Sequence, residues 1–385
     1  MDGKMGIGII GCGGISASHA RAYQTFPDEC QILAVSDISD QKAEARMKEW
    51  DADTMHTDYL ELIKDERIGM VSITTPHAYH APVTIAAANA GIHVLCEKPM
   101  AINTGEAIQM IDGAERNSVK LSVIFGQRFV PYNQFLHDRV IPQLGRITFS
   151  YLIDFHYRGT AYYDRSGWRG TWKEEGGALF PNQAVHPWDF YQWLNGGVEE
   201  AYGYWTNILH PMIETEDMGF GFVRFKNGSY GKLLTTSCCG APEPSELASG
   251  MYLFGDQGQI TPEGFSLDDK NLEAELREEL KEREASVQYT GTTAQVRDML
   301  DAISEDRDPF ITGESARQSL KIINGIHWCG WNYIEEFKRW IYENYQIPRT
   351  LEEGHAQRWT GGKLVRDLAE IVRSPEDTLE VPFLS

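Results

Sequence analysis

The chain has 385 residues, enough for two or three domains at about 150 residues each and for more than one sizeable core. Apolar residues make up 42% and charged residues 24%, an ordinary globular composition that excludes a wholly disordered chain. Acids outnumber bases by 56 to 35, a net charge of −21; that argues against a nucleic-acid partner, and no apolar run approaches the roughly 18 residues of a membrane span.

Met1 to Met5 is a short lead into Gly6-Ile7-Gly8-Ile9-Ile10. It leaves no room for a secretory signal, so a cytoplasmic location is expected. Cys12, Cys30, Cys96, Cys238, Cys239 and Cys329 lack CxxC spacing and read as reduced thiols, with no metal site expected. Strands are expected at 5–10, 31–36, 70–74, 93–96 and 121–124, with helices through Tyr23 and at 39–50, 81–90 and 104–117. Short apolar strands alternating with helices predict a parallel sheet covered on both faces. After about residue 145 the strands lengthen and alternate polar with apolar, at 146–155, 201–207, 219–225, 229–237 and 250–254. Lys226-Asn227-Gly228 is a hairpin signal. The expected fold is therefore an α/β Rossmann domain plus an α+β domain with a large, mostly antiparallel open sheet. Helices are expected near Asn182, at 292–304 and at 315–345, and the charge-rich segment 266–286 reads as a solvated surface excursion. The expected domains are 1–125, 126–345 and an irregular extension, 346–385.

Gly11-Cys12-Gly13-Gly14-Ile15-Ser16 lies between a strand and a helix and fits G-x-G-x-x-G except that Ser16 stands for the third glycine. Such a loop turns tightly at its first glycine, brings backbone to a pyrophosphate at its second, and presents a helix N-terminus to phosphate. Asp37, at the end of the second strand, suits ribose hydroxyls and repels a 2′-phosphate, which favours NAD over NADP.

Further motifs are Thr74-Thr75-Pro76-His77-Ala78-Tyr79-His80, the segment Gly91 to Pro99 ending in Glu97-Lys98-Pro99, Trp168-Arg169, Gly176-Gly177-Ala178, and Asn182 to Asp189 with His186 between. Together with the glycine loop they resemble the Gfo/Idh/MocA family (glucose–fructose oxidoreductase, inositol dehydrogenase, rhizopine catabolism) over roughly residues 5–335. The resemblance implies a two-domain NAD-dependent dehydrogenase of sugars, glycosides or cyclitols, often a homo-oligomer paired through its open sheets. It implies that Gly11, Gly13, Gly14, Ile15, Asp37, Thr75, Pro76, His80, Glu97 and Lys98 line the cofactor. Lys98 and His186 would be catalytic, the lysine on the reacting hydroxyl and the histidine taking its proton.

Asn182 departs from the cyclitol-acting pattern, where Asp commonly stands four residues before the histidine. An amide positions a hydroxyl but cannot charge, so Asn182 reads as a substrate-orienting partner in catalysis. Asp189 is a candidate to orient His186 or bind substrate. Pro187 requires the helix to begin near Ala184 or to kink. Tyr157, Trp168 and Trp172 could stack on sugar rings, and Arg128, Arg158 and Arg169 could read hydroxyls or a carboxylate; Trp193 and Trp205 read as core. The favoured activity is oxidation of a secondary hydroxyl of a sugar or glycoside. The alternatives are a cyclitol dehydrogenase, an NAD-using glycoside hydrolase acting through transient oxidation, and a regulatory nucleotide-binding protein, which would need neither Lys98 nor His186.

Overall fold

The computed structural model describes residues 3–164, 166–239 and 249–345, with the backbone alone over 331–345. The extension expected at 346–385 lies outside the described residues. The first sheet is formed by β1 Met5–Ile10, β2 Cys30–Ser36, β3 Thr54–His56, β4 Ile68–Ile73, β5 His93–Cys96 and β6 Leu121–Val123, all parallel in the order β3-β2-β1-β4-β5-β6. Between them run α1 Ser16–Gln24, α2 Asp40–Trp50, α3 Tyr59–Ile63, α4 His80–Asn89 and α5 Thr104–Arg116. Five strands are legible in the sequence. The sixth, β3, is a three-residue edge strand in a polar stretch, and pairing with Ala34 to Ser36 is what makes it a strand. Ile7, Ile9, Val35, Val71, Val94 and Leu95 are fully buried, as expected of strands covered on both faces.

The second half contains α6 Pro131–Phe135, β7 Ile147–Phe155, α7 Thr160–Tyr163, α8 Val185–Leu194, β8 Val198–Thr206, β9 Met218–Phe225, β10 Tyr230–Thr236, β11 Gly250–Gly255, β12 Gly258–Thr261, β13 Gly264–Leu267, α9 Lys270–Ser286, α10 Gly291–Ser304 and α11 Gly313–Tyr345. Its seven strands run β13-β12-β11-β7-β10-β9-β8 and are antiparallel except for β7 with β10. The Lys226–Gly228 turn joins β9 to β10, with Gly228 at φ +84. One face is covered by α8 and α11. Gly325 of α11 lies so close to β8 that a Cβ would stand 2.3 Å from the Ala201 carbonyl oxygen.

The opposite face is aromatic. Register places Tyr202 beside Phe222, Phe222 beside Lys232, Lys232 beside Tyr151, and Tyr151 beside Tyr252. Phe222 is 58% exposed, and Tyr202, Phe220, Tyr230 and Phe149 are also exposed.

Residues 270–286 of the charge-rich segment form a largely exposed helix. Asp269 caps it by accepting from the Asn271 and Leu272 N–H groups, and Leu276 enters the core shared with Phe265 and Leu267. α10 packs on α1 of the first half, where Val296 and Met299 share a core with Ile7 and Ile9. Gln295 extends the end of β6, accepting from Phe125 N–H at 3.1 Å and donating to Val123 O at 2.6 Å.

Candidate active site

The nucleotide half of the site grows from the end of β1. Gly11 turns the chain at φ +98. A Cβ there would lie 2.7 Å from the Thr74 carbonyl, so only glycine fits. At Gly13 and Gly14 a Cβ would meet nothing within 4 Å, which leaves the loop backbone open to a ligand. Ser16, fully buried, occupies the place of the third glycine and donates to Gly13 O at 2.6 Å. Ile15 is half exposed beside the loop. Asp37 accepts from Cys12 N–H at 2.8 Å and Ser39 N–H at 2.9 Å. Each carboxylate oxygen keeps a lone pair for a ribose hydroxyl. Open backbone, a helix N-terminus and a fixed carboxylate fit a dinucleotide.

Thr75 and Pro76 follow β4. Thr75 Oγ1 is buried and has no hydrogen-bond partner among the described residues. The His80 ring lies between Pro99 O at 2.7 Å and Thr75 O at 3.0 Å, tying the two strand-end loops together. Burial depresses its pKa, so the ring is neutral and donates to only one of them. His77 bonds Glu175 O at 2.9 Å and meets Trp168 edge-on.

Glu97 is buried directly after β5. Its carboxylate turns inward, to His19 Nε2 at 3.0 Å and Lys98 N–H at 3.1 Å, and His19 reaches Ser72 at 2.9 Å. Burial would raise its pKa, but His19 and then Lys98 hold it down to about 2. Its side chain therefore anchors the strand end.

Lys98 Nζ donates to Asn182 O at 3.0 Å and Asn182 Oδ1 at 3.4 Å. Burial lowers its pKa, against the pull of Glu97 and Glu175. Asn182 lies in a wide turn, Phe180–Ala184, and α8 starts after it at Val185. Pro187 thus falls in the first turn of α8, where its missing N–H costs nothing. His186 has no hydrogen-bond partner among the described residues. Burial, then the charge of Lys98, pushes its pKa down to about 3, so the ring is neutral.

Neither Asn182 nor Asp189 bonds His186 among the described residues. Asn182 points its amide at Lys98 and at Glu175, its Nδ2 donating to Glu175 Oε1 at 2.6 Å. Asp189 turns into the core and takes Arg128 in a two-pronged ion pair at 2.7 and 2.5 Å. Both side chains are 1% exposed, and Arg128 also donates to Ser315 at 2.5 Å. Neither is available to substrate, because an unpaired buried charge is costly and each satisfies the other. Trp172 also departs from expectation. It packs against Trp205 and His327 at the edge of the core, and its indole N–H donates to Glu214 O at 3.1 Å. Trp205 is buried and Trp193 partly so, stacked on His137.

The remaining candidates converge. Arg158 and Arg169 both lie over the Tyr162 ring, 5.1 and 4.4 Å from its centroid, and Arg169 lies 4.8 Å from that of Trp168. Arg158 donates to Gln183 Oε1 at 2.5 Å and Gln183 donates to Tyr162 Oη at 2.9 Å. Tyr157 is exposed and bridges to Cys238 at the sheet edge.

Glu175 was not legible as a site residue. It reads as part of a surface charge run, Lys173-Glu174-Glu175, yet it is 1% exposed. The available signal was the following Gly176-Gly177, at φ +75 and +141, which reverses the chain and carries Glu175 inside. Its carboxylate accepts from Gly170 N–H and Asn182 Nδ2, with Arg169 at 3.9 Å. Burial pushes its pKa up to about 7. His156, within hydrogen-bond distance of Asp154 on β7 at 2.9 Å, was also not singled out.

Residues 5–125 match the model of an oxidoreductase family with an NAD-binding Rossmann fold, and residues 142–261 match the GFO/IDH/MocA C-terminal domain. Glucose-6-phosphate 3-dehydrogenase of Bacillus subtilis is 34% identical over 170 residues, 44% of this chain and 46% of its own. Myo-inositol 2-dehydrogenase of Thermotoga maritima is 26% identical over 231 residues, 59% of this chain and 67% of its own. The chain spans about half the length of several curated relatives it matches, such as the first of these. Among solved structures, the WlbA dehydrogenase of Chromobacterium violaceum with NADH and UDP-GlcNAcA is 25% identical with a TM-score of 0.77, covering 86% of this chain and 95% of that one. Levoglucosan dehydrogenase with NADH and levoglucosan, at 18% identity and a TM-score of 0.73 over 86% and 98% of the two chains, shares the fold. With both halves matched in sequence and the two-sheet architecture in common, the chain belongs to the Gfo/Idh/MocA oxidoreductase family.

Proposed function

We propose that this protein is an NAD-dependent dehydrogenase that oxidises a secondary hydroxyl of a sugar or glycoside to a ketone. The observation that carries the reading is the pairing of Lys98 Nζ with Asn182, together with a neutral His186 that has no hydrogen-bond partner among the described residues, at the carboxyl edge of the parallel sheet. NAD, when bound, supplies the hydride acceptor; Gly11, Gly13, Gly14, Asp37 and Thr75 would hold it. Lys98 donates to the substrate hydroxyl and stabilises the negative charge that develops on its oxygen. Neutral His186 is free to accept the hydroxyl proton. Oxygen carrying negative charge between the two groups offsets the charge of Lys98, so the ring gains proton affinity as the hydroxyl loses its proton. Asn182 orients Lys98 and substrate, held in turn by Glu175.

The names of relatives favour sugars and inositols alike, and a cyclitol remains the second reading. The test is NADH formation on a panel of sugars, glycosides and inositols. Release of free sugar from a glycoside without net NADH would assign the hydrolase chemistry instead. Asp37→Ala should erode a preference for NAD over NADP, and tighter wild-type binding of NADP would overturn the cofactor assignment. The exposed aromatic face of the second sheet supports a homo-oligomer formed by a second copy, since a patch this apolar is costly in water. Buried thiols at Cys12, Cys30 and Cys96, without a disulfide among the described residues, support a cytoplasmic location. Among the described residues no helix is long and apolar enough to cross a membrane.

A further inference from the structure

Three cations, Lys98, Arg158 and Arg169, converge on the substrate side of this site, and the two carboxylates beside Lys98 are Glu97, which is turned to His19, and Glu175. Lys98 contacts Asn182, Asn182 contacts Glu175, and Glu175 lies 3.9 Å from Arg169. From Arg169 the contacts continue through Tyr162 and Gln183 to Arg158. Elsewhere in this acidic chain Arg128, Arg139, Arg224, Arg277, Arg297 and Arg307 each hold a carboxylate directly. Arg158 holds none among the described residues. It is spent on the Tyr157 carbonyl and the Gln183 amide, both neutral, and its buried Nε has no partner. Among the described residues Arg169 has only Glu175 as an ionic partner, at the outer limit of an ion pair, and the Glu175 oxygens are already taken by Gly170 and Asn182.

Both guanidinium groups are held against one tyrosine ring. Two like charges so placed repel, and partial burial weakens the screening that water would provide. An anion placed between them turns that repulsion into attraction. Guanidinium groups also present paired donors that match carboxylate and phosphate oxygens. A neutral sugar would leave the excess charge uncompensated.

We propose that the substrate is an anionic sugar, with Arg158 and Arg169 receiving its carboxylate or phosphate while Lys98 holds the hydroxyl to be oxidised. The proposal rests on the dehydrogenase reading for Lys98, but the anion site is tested by binding alone. The NADH-loaded protein is titrated with glucose, glucuronate and glucose 6-phosphate, following tryptophan fluorescence at low and high salt. At least one charged sugar should bind about tenfold or more tightly than glucose, with the advantage shrinking as salt rises. The preferred arm distinguishes carboxylate from phosphate. Arg158→Gln should reduce that advantage about tenfold, and Arg158→Lys, which keeps the charge, should retain most of it. Equal binding of all three sugars, or an Arg158→Gln variant with the charged-to-neutral ratio unchanged, would overturn the proposal. Turnover on the same ligands reads the other assignment separately. Tight binding of a charged sugar with no NADH formed from NAD would refute the dehydrogenase and leave the anion site standing. Oxidation of glucose and its charged counterparts with equal kcat/KM would do the reverse.

Discussion

Glu175→Gln tests the least expected residue of the site. Burial raises the Glu175 pKa from 4.5 to about 7, against the opposing effects of Gly170 N–H, Asn182 and Arg169. The folded protein therefore holds this proton more tightly than the unfolded chain does. The stability contributed by the neutral acid is fully present below pH 4.5 and is lost as pH rises through about 7. At 1.36 kcal/mol per unit the whole loss is about 3 kcal/mol, of which about 2 kcal/mol falls between about pH 5.5 and 8.5. Glutamine cannot ionise and escapes it. It also offers one oxygen to two donors, Gly170 N–H and Asn182 Nδ2, and so loses a buried hydrogen bond worth about 1–3 kcal/mol. Urea unfolding of both proteins at the two pH values measures this. The stability of the wild type relative to the variant should fall by about 2 kcal/mol on going to the higher pH. A difference unchanged within about 0.5 kcal/mol would refute a buried carboxylate that titrates near neutrality.

The other predictions address chemistry, packing and assembly. His186→Ala and Lys98→Met should each lower kcat by about 10²- to 10⁴-fold with NAD affinity, measured by fluorescence titration, little changed; near-wild-type turnover of His186→Ala would place the base elsewhere. Asp189→Ala should cost about 3–5 kcal/mol in urea unfolding by stranding Arg128, whereas loss of a substrate contact alone would raise KM and leave stability intact. Phe222→Glu, on the exposed aromatic face, should shift the protein from oligomer to monomer by light scattering with its circular dichroism unchanged. An unaltered oligomer would move the interface away from that face.

Much of the fold was legible because it follows from local periodicity. Apolar strands between helices specify a parallel sheet, and alternation after residue 145 specifies a sheet with one open face. The nucleotide loop was legible for the same reason: Gly11 and Asp37 are separated by one strand–helix–strand unit, and their roles depend on that unit alone. What lay beyond reach was decided by which side chains meet across long separations. Arg128 and Asp189 each looked like a group for substrate, and only the packing of α8 against the loop after β6 turned them toward each other in the core. Asn182 looked like a group that orients substrate, and only the wide turn at 180–184, ahead of the helix that carries His186, hands its amide to Lys98 and Glu175. Glu175 looked solvated because its neighbours are charged, and the Gly176-Gly177 reversal buried it. A sequence shows the charge a residue can carry, whereas the partners and solvent that set the free energy of that charge are assembled only when distant segments pack.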